Sequence, residues 1–169
     1  MTAEQRQLLS LKAELDADLQ MVQLIVREIE AALGDVSLAK RPDLVTMMGL
    51  AALLHHFYSA IESSFERIVK YFDGGVPAGE TWHRDLLGKV AIDVPGLRPA
   101  VISKDLQKQL DDYRRFRHLF RRVYELSLDW EKLVPLLHRL PATHVRLQRE
   151  LRQFTAYVAA LAAGDTQET

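Results

Sequence analysis

Apolar residues in the first part of the chain follow the period of an amphipathic helix. They recur at intervals of three and four, at Leu8, Leu11, Leu15, Leu19, Val22, Ile25, Val26, Ile29 and Leu33. Thr2 and Gln5 match a capping box, in which each side chain accepts a hydrogen bond from the other residue's backbone. Gly34 follows the last apolar position and is expected to end the helix in the left-handed conformation. The pattern predicts a helix of about thirty residues.

A second apolar pattern with the same period runs from Leu44 to Phe72. The Pro-Asp pair at 42–43 suits a helix start, and the Asp-Gly-Gly run at 73–75 suits its end. Gly49 interrupts the pattern and predicts a close helix crossing. The most apolar part, 44–58, is shorter than the roughly twenty residues that a membrane span needs. We therefore expect a core helix and no membrane association.

The rest of the chain alternates helical patterns with breaks. In order, we expect a connector at 74–80, a short helix Trp82–Val90, an irregular segment 92–103, a helix from Ser103 to about Leu126, a short helix Trp130–His138, a break at Leu140-Pro141 and a last helix Ala142–Ala163. No run alternates with the period of a strand. The prediction is an all-α, up-and-down bundle of four main helices and two short ones. One domain should cover residues 1–164, followed by a flexible tail at 165–169.

Composition and charge exclude several classes of protein. The 22 basic and 23 acidic residues nearly cancel, which argues against general coating of nucleic acid but allows a local basic patch. The absence of cysteine excludes disulfides and thiolate chemistry. His55 and His56 are adjacent and diverge on a helix, so we expect no metal site and no cofactor. The start of the chain shows no basic and then apolar secretory pattern, which favours a cytoplasmic location.

The stretch Tyr113–Tyr124, YRRFRHLFRRVY, combines five arginines, one histidine and four aromatic residues with no acid. On a helix, its apolar residues would form one face that is expected to be buried: Tyr113, Phe116, Leu119, Phe120 and Val123. Its basic residues would form the opposite face: Arg114, Arg117, His118, Arg121 and Arg122. Arginine forks can stabilise charge on a phosphoryl group, and a histidine can move a proton near neutral pH.

Three interpretations of this basic face stay open. It is solvated, it is paired with carboxylates, or it holds an anion. Pairing partners are available from flanking acids, namely Asp111, Asp112, Glu125 and Asp129. Arginine favours an anion because its planar fork matches phosphate. Glu62 lies near an apolar face and is either buried with a partner from the arginine cluster or exposed at the surface.

Residues 117–124, RHLFRRVY, resemble the signature helix of HEPN domains. The resemblance is to the HepT-like toxins in particular, which are encoded beside a minimal nucleotidyltransferase antitoxin. It extends to the segment 54–62, to the Trp-His pair at 82–83 and to VPGLRPAV at 94–101. It covers the chain from about residue 45 to about residue 140, and it implies a HEPN-like fold.

The family motif is an Arg, a polar residue, three to five further positions and a His, commonly followed by one residue and a Tyr. Arg117, His118 and Tyr124 match the Arg, the polar position and the Tyr, whereas Arg122 stands at the His position. In the family, two protomers join their motif helices into a composite cleft that cuts RNA without metal. The Arg binds phosphate, the His assists attack by the ribose hydroxyl, and the Tyr can receive AMP from the partner nucleotidyltransferase.

The resemblance implies a role for each residue of the basic face. Arg117 and His118 are the catalytic candidates, because a guanidinium at Arg122 stays protonated and His118 would have to replace the motif base. Arg114, Arg121 and Arg122 would bind phosphate or RNA, and Tyr124 would be a modification site.

The leading hypothesis is a HepT-like toxin that binds RNA as a homodimer joined through the basic helix, has a nucleotidyltransferase antitoxin as its partner, and cleaves RNA if His118 serves as the base. One alternative is a non-catalytic HEPN interaction subunit that docks, or is a substrate of, a nucleotidyltransferase. Another is a structural bundle whose arginine face is salt-bridged.

Overall fold

A computed structural model describes residues 1–34, 37–122 and 128–164 of the chain. Five helices occupy this part: α1 Ala3–Leu33, α2 Leu44–Phe72, α3 Trp82–Lys89, α4 Lys104–Arg122 and α5 Trp130–Ala163. The described residues form no named strand, and Val94 and Arg98 make an isolated bridge. The prediction of an all-α bundle is therefore confirmed. The tail 165–169 lies outside the described residues.

Helix α1 begins with the predicted capping box. The Thr2 backbone N–H donates to Gln5 Oε1 over 2.7 Å, and the Gln5 backbone N–H donates to Thr2 Oγ1 over 3.1 Å. The prediction for the other end is wrong, because Gly34 has φ −45° and remains right-handed. Its N–H donates to the Ala31 carbonyl, so the last turn tightens and satisfies that carbonyl without a left-handed residue.

Helix α2 is the central element, packed against α1, α3 and α4. By length and composition alone it could cross a membrane, but a core helix passes the same test. Its apolar side lies in the core of the bundle, and Phe57, Tyr58, Ile61 and Phe65 are fully buried. The expected helix crossing at Gly49 is wrong: Gly49 is exposed, and a Cβ there would meet no atom within 4 Å.

Helix α5 runs unbroken through both prolines of its first half. Pro135 and Pro141 lie inside it, so the predicted short helix and last helix are one element of 34 residues. The described residues therefore form four long helices and one short helix, and the predicted second short helix is wrong. Both prolines are on the exposed side of the helix, away from the core. The apolar spacing through Leu133, Leu140 and Leu147 continues across them and is buried in the core.

The irregular segment between α3 and α4 is tied to the end of α2 by a buried arginine. The Arg98 side chain has no exposed surface, and its Nε and Nη2 donate to Asp73 Oδ1 and Oδ2 over 2.7 and 2.9 Å. It also donates to the carbonyls of Lys89, Ile92 and Pro99. Burial acts to raise the pKa of Asp73, but the hydrogen bonds and charge of Arg98 outweigh it and lower that pKa. This contact holds the segment that follows α3 against the end of α2.

Asp73→Asn should lower the free energy of unfolding by about 3–5 kcal/mol, because it leaves the buried Arg98 guanidinium without its counter-charge. Urea denaturation of the variant and the wild type measures the difference. Glu66→Gln is the matched control, since the partner of Glu66, Lys70, has a 63 % exposed side chain, and its loss should cost less than about 1 kcal/mol. Equal effects of the two variants would contradict the argument that Asp73 compensates the buried charge of Arg98.

Candidate functional site

The inward face of α4 continues from apolar residues into an arginine. Its buried residues are Leu106, Leu110, Tyr113 and Arg117, spaced by four, three and four positions. Leu119, predicted to be buried, is 56 % exposed, so that prediction is wrong. Phe116 and Phe120 are only partly buried, and Val123 lies outside the described residues. The buried face is turned towards Arg117 because a carboxylate on α2 compensates the guanidinium there.

Arg117 is held between α4 and α2 by one ion pair and two weaker contacts. Its Nη2 lies 2.7 Å from Glu62 Oε1, and the exposed fractions of the two side chains are 9 % and 4 %. Its Nη1 donates to Ser59 Oγ over 3.3 Å, and its Cζ lies 5.5 Å from the centre of the Tyr58 ring. Of the two interpretations of Glu62, the structure therefore shows the buried one, with a partner from the arginine cluster.

His83 approaches both members of this ion pair with one ring nitrogen. Its Nδ1 lies 2.8 Å from Glu62 Oε2 and 2.8 Å from Arg117 Nη2. A guanidinium has only donors, and a neutral imidazole carries one proton. With that proton on Nδ1, the ring donates to Glu62 Oε2, while Oε1 of the carboxylate pairs with Arg117 Nη2. With the proton on Nε2, Nδ1 instead accepts from Arg117 Nη2. Nδ1 therefore bonds either to Glu62 as a donor or to Arg117 as an acceptor, and only the first tautomer has its lone pair on Nε2.

Helix α3 positions the His83 ring. Leu86 and Leu87 anchor the helix in the core, each with 1 % exposure, and α3 packs against both α2 and α4. Trp82 stacks on the imidazole with ring centres 3.6 Å apart and an angle of 30° between the planes. The ring is therefore held by the indole on its face and by Glu62 at its edge, with 20 % of the side chain exposed.

Carboxylates neutralise the first half of the basic stretch. Asp111 accepts from Arg114 Nε over 2.7 Å and lies 2.7 Å from Arg115 Nη2. Asp112 pairs with Arg139 of α5 at 2.9 Å instead. Pairing therefore accounts for Arg114, which had been predicted to bind phosphate, and the role predicted for it stays a prediction.

Two polar residues of the second half of the stretch face solvent. His118 and Arg121 are exposed on α4. Among residues 1–34, 37–122 and 128–164, no carboxylate forms an ion pair with Arg121. The side chain of Arg122 and the whole of Tyr124 lie outside the described residues, and the roles predicted for them stay predictions.

His55 of α2 lies beside the same cations. Its ring centre is 5.5 Å from that of Phe120. Burial, and then the charges of Arg117, His56 and Arg121, lower the pKa of His55 from its ordinary 6.5, so the ring is neutral at neutral pH. Its buried Nδ1 has no hydrogen-bond partner within the described part of the chain. The effect of both arginines on one ring places Arg117 and Arg121 on the same side of the bundle.

The site joins one carboxylate, one guanidinium and one imidazole from α2, α4 and α3 in an all-helical bundle that carries a basic motif helix. Across the described ranges, no three His, Asp or Glu side chains are grouped to hold a metal ion. The family model described as HepT-like protein matches residues 49–158, which include all three site residues. The chain therefore belongs to the HepT-like family of HEPN proteins. No curated protein and no solved structure matches it significantly.

Sequence reasoning identified Arg117 and its possible partner Glu62, but it assigned no chemistry to His83. His83 lies 34 positions before Arg117, in a separate helix, so no local spacing links the two. The available signal was the Trp82-His83 pair within the family resemblance. The packing of α3 against two neighbouring helices, and not a sequence motif, brings the imidazole to the ion pair.

Arg117→Ala should lower the free energy of unfolding by about 3–5 kcal/mol, because it leaves the buried Glu62 carboxylate uncompensated. The double variant Arg117→Met with Glu62→Leu should recover most of this loss, since it removes both charges and keeps apolar volume. Chemical denaturation measures both effects. Arg121→Ala, at an exposed position of the same helix, is the control and should change the free energy by less than about 0.5 kcal/mol. A double variant no more stable than the single one would contradict the charge-compensation argument.

Acidification below pH 6.5 should destabilise the protein in part through His55, whose pKa is lowered in the folded state. The unfolded chain binds the proton at a higher pH than the folded chain, so stability is lost as the pH falls. His55→Gln should reduce the drop in melting temperature between pH 7 and pH 5. His138→Gln, at an exposed position, should leave the drop unchanged, and a similar reduction in both variants would contradict the assignment.

Proposed function

We propose that this chain is the HepT-like member of a toxin–antitoxin pair and that it binds RNA through the exposed basic face of α4. Family membership supports the type of system. Its partners in this proposal are a second copy of the chain, joined through α4, and a nucleotidyltransferase antitoxin. Tyr124 is the proposed acceptor of AMP from that nucleotidyltransferase. The proposed location is the cytoplasm.

The observation that carries RNA binding is a difference between Arg121 and the arginines before it on α4. Arg114, Arg115 and Arg117 each have a carboxylate partner. Arg121 is exposed on the same helix with no such partner among the described residues. An exposed guanidinium can bind a phosphate bidentately through its planar fork.

Partly buried aromatic side chains on the same helix suit an RNA ligand. Phe116 and Phe120 stack on each other with ring centres 5.9 Å apart and are only partly buried. His55 extends this surface by its contact with Phe120. Unpaired bases stack on aromatic faces while the phosphates bind arginine, which favours single-stranded RNA over a duplex.

The second candidate function is a non-catalytic subunit that docks a nucleotidyltransferase. Two observations favour it: Arg122 stands where the family has its catalytic histidine, and Arg117 is engaged with Glu62 inside the bundle. On this alternative, a stable complex with the nucleotidyltransferase forms whether or not RNA is bound, and it survives His118→Ala.

Arg121→Ala should weaken binding of a fluorescein-labelled single-stranded RNA, measured by anisotropy at several salt concentrations. The slope of log affinity against log salt should fall by about 0.7–1, as expected for the loss of one phosphate contact. Arg27→Ala on α1, exposed and outside the basic stretch, is the matched control and should change neither affinity nor slope.

No RNA binding by the folded wild type would contradict the proposal. Under that outcome, co-purification of the chain with a nucleotidyltransferase would support the docking alternative. Growth arrest on expression, relieved by Arg121→Ala, would support a toxin that acts on RNA.

A further inference from the structure

We propose that His83, oriented by Glu62, is the general base of a metal-independent RNA-cleaving site and that Arg117 binds the scissile phosphate in that site. The inference rests on the proposed function, in which RNA is the ligand. It moves the base from the motif helix α4 to α3, and it assigns a catalytic role to a histidine that the motif does not include.

The ring of His83 has the properties that a general base requires. In the tautomer whose Nδ1 proton is accepted by Glu62 over 2.8 Å, the lone pair lies on Nε2, where it can take a proton from the substrate. The side chain keeps 20 % of its surface exposed, so substrate can reach it. Arg122, at the position of the family histidine, cannot act as a base because its guanidinium stays protonated.

The distance between the base and the cation suits one phosphodiester. His83 Nε2 lies 3.5 Å from Arg117 Nη2. A ribose 2′-hydroxyl on Nε2 would therefore place the adjacent phosphate beside the guanidinium. Arg117 has five N–H donors, and its contacts through Nη2 with Glu62 and His83 and through Nη1 with Ser59 do not use all of them. Donors remain for the charge that grows on the phosphoryl oxygens.

The reaction is an intramolecular transesterification. His83 Nε2 takes the proton of the 2′-hydroxyl, the 2′-oxygen forms a bond to phosphorus, and the bond from phosphorus to the 5′-oxygen breaks. The leaving 5′-oxygen takes a proton from water, and His83 later returns its own proton to solvent. The products are a 2′,3′-cyclic phosphate and a 5′-hydroxyl. The step needs no oxidant and no co-reactant.

The rival base is His118, which follows Arg117 directly on α4. Consecutive side chains leave a helix about 100° apart, so His118 points away from the inward direction of Arg117. His118 is exposed, whereas His83 contacts both Glu62 and Arg117. The geometry favours His83 within one chain.

His83→Gln should abolish cleavage while leaving RNA binding intact. The assay uses the full chain with a labelled single-stranded RNA of random sequence in EDTA, and the products are analysed for cyclic phosphate ends. We expect kcat to fall by at least about a hundredfold with KM nearly unchanged, as for loss of a general base. His138→Gln, at an exposed position of α5, is the matched control and should cleave at the wild-type rate. Circular dichroism and thermal melting verify that each variant is folded.

Glu62→Gln tests the positioning role of the carboxylate. It should lower kcat and leave KM nearly unchanged, because the carboxylate no longer holds the His83 ring at Nδ1. A purely structural role for Glu62 would reduce the amount of folded enzyme and leave kcat per folded molecule unchanged.

Three results would overturn the inference, and they differ in what they leave standing. If the wild type binds RNA and does not cleave it, the inference fails and the proposed function stands. If His83→Gln cleaves normally and His118→Gln does not, the base is His118 and the nuclease survives. If the wild type neither binds nor cleaves RNA, both proposals fail.

Discussion

The buried ion pair between Arg117 and Glu62 is the constraint on which the site depends. Neither charge could be left in the core alone, because an uncompensated buried charge costs several kcal/mol. Each helix is therefore held in register by the other's charge, with Nη2 and Oε1 2.7 Å apart. The same pair is contacted by His83 from α3, so three helices meet at one group of a carboxylate, a guanidinium and an imidazole.

This arrangement separates two uses of arginine on one helix. Arg114 and Arg115 are neutralised by Asp111, Arg117 is buried, and Arg121 faces solvent with no carboxylate partner in the described part of the chain. The inward arginine is desolvated and pairs with a carboxylate, whereas the outward one lies at the surface of the helix. A single basic stretch thus contributes both to the interior of the bundle and to its surface.

The helical pattern was predictable because apolar periodicity reports which face of each helix is buried. The errors arose where tertiary contacts outweighed a local preference. Pro141 was expected to break the chain, yet the apolar stripe of α5 continues past it and both prolines face water. Leu119 was expected to be buried, yet Arg117 takes the inward position because Glu62 compensates its charge. Gly34 was expected to be left-handed and is right-handed, and Gly49 was expected at a close helix crossing and is exposed.

The sequence by itself determined the all-helical fold, the starts of α1 and α2, and the basic stretch with its family resemblance. These features depend on residues close together in the chain, whose spacing is set by helix geometry. Only the tertiary structure decided that Arg117 is buried and that His83 joins it. Those contacts link residues on different helices, and their energies depend on burial, which no local pattern records.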